Sequence, residues 1–193
     1  RSSDLGFSVE AIKDELGGSF EPLIEAITSG QIKGVVGVVG CSNPKIQHDH
    51  GHVELAKELI KQDILLIETG CAAVASGKEG LLLPEAAEMA GDGLAKVCKS
   101  LEIPPVLHMG SCVDCSRVLT LAGELADALG VGIDELPAAG AAPEWYAQKA
   151  LTIASYFVAS GFYTVVGLPP NTQGSQKVTD LLTDELDDVI NAK

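Results

Sequence analysis

The stretch "KGVVGVVGCSNPKIQHDHGHVELAKELIKQDILLIETGC" (33–71) decides the architecture. Residues 33–40 hold four β-branched valines bounded by glycine, the composition of a short buried strand. Between 52 and 62 the apolar residues Val53, Leu55, Ala56, Leu59 and Ile60 recur at helical spacing. "DILLIET" (63–69) then reads as a second strand. A strand, a helix and a strand in this order form a βαβ unit, and its crossover makes the two strands parallel.

The rest of the chain repeats the alternation. "PEAAEMAGDGLAKVCKSL" (84–101) predicts a helix opened by Pro84 and interrupted by Gly91 and Gly93. A third strand is expected over 104–110, and a helix over 116–130 that ends at Gly130. "AAGAAP" (138–143) is a weak strand, 144–161 a strong helix, and "YTVVGL" (163–168) a further strand. A turn-rich loop, 169–176, leads to a final helix near 177–191. The first thirty residues read as a helical hairpin that pivots at Gly17-Gly18. The expected fold is α/β: a Rossmann-like doubly wound parallel sheet with helices on both faces, preceded by a short helical segment. Residues 1–30 would be the helical lead-in and 31–193 the Rossmann-like domain.

Composition narrows the partners. The chain has 27 acidic and 13 basic residues, a formal net charge of -14, and no cluster of Lys and Arg that would face a nucleic-acid backbone. No apolar run is long enough to form an integral membrane segment, and no basic-then-apolar signal opens the chain. It begins at Arg1 rather than Met, as a processed or excised piece would. Five cysteines in a chain of this composition argue against a secreted disulfide scaffold; reduced thiols in the cytoplasm, some of them metal ligands, are expected.

The cysteines fall in a pattern. Cys41 follows the first strand, Cys71 the second and Cys112 the third, each shortly after a glycine. In an open parallel sheet the carboxyl ends of the strands form the ligand-binding edge, so these three converge on one rim. Glycine there lets the backbone approach a bulky inorganic group, and helix starts after Cys71 and Cys112 favour thiolate. Soft thiolates from separate loops suit iron–sulfur or nickel–iron–sulfur centres. Cys98, inside a helix, reads as a packing residue. Cys115 lies one helical turn after Cys112, either as a supporting thiol or merely near the site.

Rival readings explain less. A redox Cys112-x-x-Cys115 pair accounts for neither Cys41 nor Cys71, and a closed zinc site needs a second close pair. The first strand is not followed by G-x-G-x-x-G, so a nucleotide fingerprint is absent. His48, His50 and His52 are of metal-ligand type, although a polar loop entering a helix is the commoner explanation. His108, before the third glycine, is either a donor near the rim or a satisfied core histidine.

"VVGCSNPK" (38–45), "HVELAKELIKQDILLIETGCAA" (52–73), "AAEMAGDGLAKVC" (86–98), "PPVLHMGSCVDCSR" (104–117) and "GSQKVTDLLT" (174–183) together resemble the C-terminal part of nickel-dependent anaerobic carbon monoxide dehydrogenases. Hybrid cluster proteins are more distant relatives. The resemblance implies interconversion of CO and water with CO2, two electrons and two protons at a Ni–Fe–S cluster, the C-cluster. Cys41 and Cys71 would bind its irons and Cys112 its nickel. It also implies N-terminal domains of the same subunit that carry the missing ligands and further [4Fe–4S] clusters, a homodimer, and a ferredoxin-like electron carrier. The isolated chain would therefore be inactive. Family members also carry a lysine after the "VTxxLT" motif for proton handling and substrate stabilisation; here the nearest match is Asp187. That departure supports an alternative, a non-catalytic metal-binding or assembly module, beside a hybrid-cluster-type reductase fragment. A thiol redox module using Cys112 and Cys115 is a third reading.

Overall fold

The computed structural model describes residues 7–144, 148–167 and 175–180. Five strands, β1 (Gly34–Val38), β2 (Ile64–Glu68), β3 (Val106–His108), β4 (Ala138–Ala142) and β5 (Tyr163–Val166), form one sheet. Their order is β3-β2-β1-β4-β5, and every neighbouring pair is parallel. The order reverses between β1 and β4, which makes that junction the switch point of a doubly wound sheet.

Helices cover both faces. Gly37 of β1 and Gly140 of β4 are partners in register. A Cβ at Gly37 would meet Phe157 of α7 (Gln148–Ala159) at 3.3 Å and Val118 of α6 (Cys115–Leu129) at 3.4 Å. A Cβ at Gly140 would drive into the Phe157 ring itself. The two glycines thus open a slot that the aromatic ring fills, and α6 and α7 lie on that face. Ile67 shares this face by register with Gly37, so the next residue, Glu68, points to the other. There α3 (His50–Lys61) and α4 (Gly70–Lys78) pack.

The lead-in is a helical hairpin, α1 (Val9–Glu15) and α2 (Glu21–Thr28), whose turn holds Gly17 and Gly18 at φ 82° and 95°. Ser8 caps α1 by accepting from the Ala11 N–H at 3.2 Å. Phe7, Ile12, Phe20 and Leu23 join the same buried cluster as Leu65, Leu66 and Val106 of the sheet. The Phe7 N–H donates to the His108 carbonyl at 2.7 Å and so occupies part of the free edge of β3.

The expected helix over 84–101 is two elements. Pro84–Met89 is a 3-10 stretch, Ala90 and Gly91 are extended, and α5 runs from Asp92 to Leu101. The cause lies elsewhere in the chain. Asp63, in the turn before β2, accepts from the Gly93 and Leu94 N–H groups at 2.9 and 3.0 Å. Those bonds satisfy the first turn of α5 and hold the Asp63 carboxyl below its ordinary range. The third strand is also shorter than expected, three residues rather than seven. Only Gln176–Asp180 (α8) of the expected final helix falls among the described residues. No described helix is long and apolar enough to cross a membrane.

Phe157, 2% exposed, is the ring that closes the slot between β1 and β4. Phe157→Ala is expected to cost about 3–5 kcal/mol, read as a lower urea midpoint with an unchanged slope.

Candidate metal centre

Three loops leave the sheet at the same edge and in the same way. Val38 is followed by Val39, Gly40 and Cys41; Glu68 by Thr69, Gly70 and Cys71; His108 by Met109, Gly110, Ser111 and Cys112. Gly40, Gly70 and Gly110 have φ of 104°, 61° and 117°, values that disfavour any side chain. Each glycine turns the chain so that a cysteine follows at the rim. Because β3, β2 and β1 are neighbours, spaced about 4.8 Å apart, the three cysteines form a row.

The row is tied together by backbone. Gly70 N–H donates to the Gly110 carbonyl at 2.9 Å, and Met109 N–H to the Glu68 carbonyl at 2.8 Å. A Cβ on Gly70 would lie 3.2 Å from the Cys112 Cβ and 3.3 Å from its nitrogen, so the Cys71 loop seats directly against Cys112. Ser111 closes the turn that carries Cys112: its N–H and hydroxyl both donate to Asp114 Oδ2 at 2.8 Å. These bonds hold the Asp114 carboxyl below its usual range.

The five cysteines occupy distinct environments. Cys71 is exposed, and Cys41 and Cys112 are half-buried. Cys98 is buried, and burial pushes its thiol up to about 12, as expected of a packing residue. Cys115, the first residue of α6, is 4% exposed, and its sulfur lies 2.9 Å from Thr69 Oγ1. Burial raises its pKa. Lys149 of α7 donates to the Cys112 sulfur at 3.2 Å. Sequence spacing does not announce that contact, because the two residues are 37 positions apart with α6 and β4 between them. Asp187 lies outside the described residues.

Among the described residues, no three His, Cys, Asp or Glu side chains are gathered tightly enough to hold one ion. The histidines in particular are separate. His48 is exposed and pairs with Asp49 at 3.2 Å, His50 is exposed, and His52 is fully buried. Burial lowers the His52 pKa against the opposing charge of Glu144. His108 is half-buried, next to Glu68 in register.

The switch point is filled from within. Glu144, in the connection after β4, is 1% exposed. Its carboxylate accepts from the N–H groups of Gly51 (2.5 Å), Asn43 (3.3 Å) and His52 (3.4 Å). Gly51 admits it, since a Cβ there would come 2.9 Å from Glu144 Cγ. In doubly wound folds the start of the first helix after β1 holds a nucleotide phosphate. Here a carboxylate of the chain sits at that helix start, in keeping with the missing glycine fingerprint.

Glu68 is another buried acid. It is 0% exposed at the end of β2, and neither carboxyl oxygen has a hydrogen-bond partner among the described residues. Burial pushes its pKa from 4.5 up to about 8.

The chain is an α/β domain with cysteines at three adjacent strand ends, and it belongs to the Prismane/CO dehydrogenase family, whose model matches residues 5–193. It is 61% identical to carbon monoxide dehydrogenase 1 of Methanosarcina acetivorans over 188 residues, covering 97% of this chain and 30% of that protein. The nickel-free crystal structure of carbon monoxide dehydrogenase from Thermococcus sp. AM4 superposes with a TM-score of 0.89 at 59% identity, over 96% of this chain and 29% of that one. An acetyl-CoA synthase/carbon monoxide dehydrogenase, described with NiZn[Fe4S4] and NiNi[Fe4S4] clusters in its alpha subunits, matches with a TM-score of 0.86 at 37% identity. That match covers 95% of this chain and 29% of that one. The chain therefore spans about 30% of the length of these relatives.

Glu68 makes stability depend on pH with a definite sign. Its raised folded pKa means that the folded chain keeps a proton which the unfolded chain releases near 4.5. Its contribution is fully present below that value and is lost as pH rises towards about 8. Glu68→Gln is expected to flatten this dependence, gaining a few kcal/mol over the wild type at alkaline pH and little under acid conditions. Urea midpoints across that range measure it.

Proposed function

We propose that this chain is the part of a carbon monoxide dehydrogenase catalytic subunit that supplies three thiolates, Cys41, Cys71 and Cys112, to a Ni–Fe–S cluster. The observation that carries the reading is the row of cysteines at three adjacent strand ends, with Lys149 bonded to the last of them. The donor set fits such a group. The sulfurs are soft ligands, each on its own glycine turn, and none is fully buried. A row of separate thiols suits a cluster with several metals better than a single ion. When bound, the cluster supplies the centre at which CO and CO2 interconvert with two electrons and two protons.

The chain's own residues support that centre in specific ways. The glycine turns set the reach of each sulfur, and Thr69 and Ser111 fix the loops behind them. Lys149 brings an ammonium group to the Cys112 sulfur, where it can hold a proton or balance negative charge on a reacting carboxylate. We assign to Lys149 the role the family gives its lysine. The assembly-module alternative drew its support from acid at Asp187, and a lysine at Cys112 removes the need for one there. Further domains of the same subunit would complete the ligand set, dimerise and pass electrons to a ferredoxin-like carrier.

In the full-length enzyme, Cys112→Ala is expected to lose nickel while keeping most of its iron, measured by metal analysis. Lys149→Ala is expected to keep both metals and lower CO-dependent viologen reduction by about 100-fold or more. The 193-residue chain alone, given nickel and iron anaerobically, is expected to show no turnover; robust turnover would overturn the assignment of missing ligands to other domains.

A further inference from the structure

The proposed ligand set leaves Cys115 without a function, although the fold holds it beside Cys112. Cys112 opens the 3-10 turn Cys112–Asp114, and Cys115 begins α6 directly after it. The spacing i, i+3 at a helix start brings two cysteine Cα atoms within disulfide range. The turn rests on Gly110, whose φ of 117° is a conformation that side-chain residues rarely adopt. The two sulfurs differ in access: Cys112 is half-buried and Cys115 is 4% exposed. They are also neighbours in packing, because Cys112 lies against the buried cluster that contains Cys115. Thr69 Oγ1, at 2.9 Å, holds the Cys115 sulfur in place from β2's end.

We propose that Cys112 and Cys115 form a reversible disulfide when the cluster is absent, which withdraws Cys112 from metal binding and protects it until the site is loaded. The second half of that statement rests on the metal-ligand reading of Cys112. The oxidant is a low-molecular-weight disulfide, RSSR. The accessible Cys112 sulfur attacks one of its sulfurs, forming a mixed disulfide and expelling RS⁻. The Cys115 sulfur then attacks Cys112, the mixed S–S bond breaks, and a second RS⁻ leaves. Two protein thiols lose two electrons and two protons, and RSSR becomes two RSH. A disulfide sulfur donates poorly to nickel or iron, and it is returned by thiols, whereas sulfinic acid is not.

The pair is convenient to test because "SLEIPPVLHMGSCVDCSR" (100–117) is a single tryptic peptide containing both cysteines. The cluster-free chain is treated anaerobically with glutathione disulfide, alkylated, and digested without reduction. The expected result is loss of two of the five thiols, with this peptide two hydrogen atoms lighter and restored by dithiothreitol. Cys115→Ser should instead trap glutathione on Cys112, and Cys98→Ser should behave as the wild type. Both thiols of the peptide remaining free while glutathione accumulates on Cys41 or Cys71 would overturn the pair. In the cluster-free full-length enzyme, the oxidised form should take up no nickel until reduced. A disulfide that forms without changing nickel uptake would overturn the ligand reading of Cys112 and leave the pair standing.

Discussion

The hydrogen bond from Gly70 to the carbonyl of Gly110 governs the arrangement of the rim. Parallel strands end at a common edge, but strand order alone leaves the loops beyond them free to diverge. This bond continues the β2–β3 pairing past the last ladder residues, and the bare Cα of Gly70 seats against Cys112. The backbone of the Cys71 turn and that of the Cys112 turn therefore move as one piece. Their separation is set by main-chain geometry, which is stiffer than any side-chain contact.

Glu144 and Glu68, two of the buried carboxyl groups in a strongly acidic chain, meet the cost of burial by opposite means. Glu144 collects two backbone N–H groups at the start of α3 and a third, from Asn43, in the loop after β1, and is satisfied as an anion. Glu68 has no donor among the described residues and remains in place by retaining its proton. One acid thus clasps two halves of the sheet together, while the other leaves the strand end next to the Cys71 loop dependent on pH.

How much of this was legible in the sequence follows from the range of the interactions. The βαβ alternation and the three Gly–Cys strand ends rest on local patterns, and residues 33–71 alone contain two of them. The break before α5 was half legible. Gly91 and Gly93 mark it, but the residue that fixes it, Asp63, caps the helix from about thirty positions away. Lys149 was not legible at all, because its place beside Cys112 depends on α7 crossing the same face as α6. Glu144 follows an unremarkable alanine run, and only the closure of β4 against β1 brings it to Gly51. Long-range placement was therefore the part that spacing could not supply.

The position of Glu144 has a consequence for what this fold can bind. A doubly wound sheet carries an anion-attracting helix start at its switch point whatever else it does. Here that attraction is met by a group attached to the same backbone. A tethered carboxylate is present at a local concentration that freely diffusing phosphates do not approach, since it surrenders little further freedom on binding. The nucleotide-binding capacity of the architecture is thus competitively silenced from inside, and the open edge from β1 to β3 is left to sulfur.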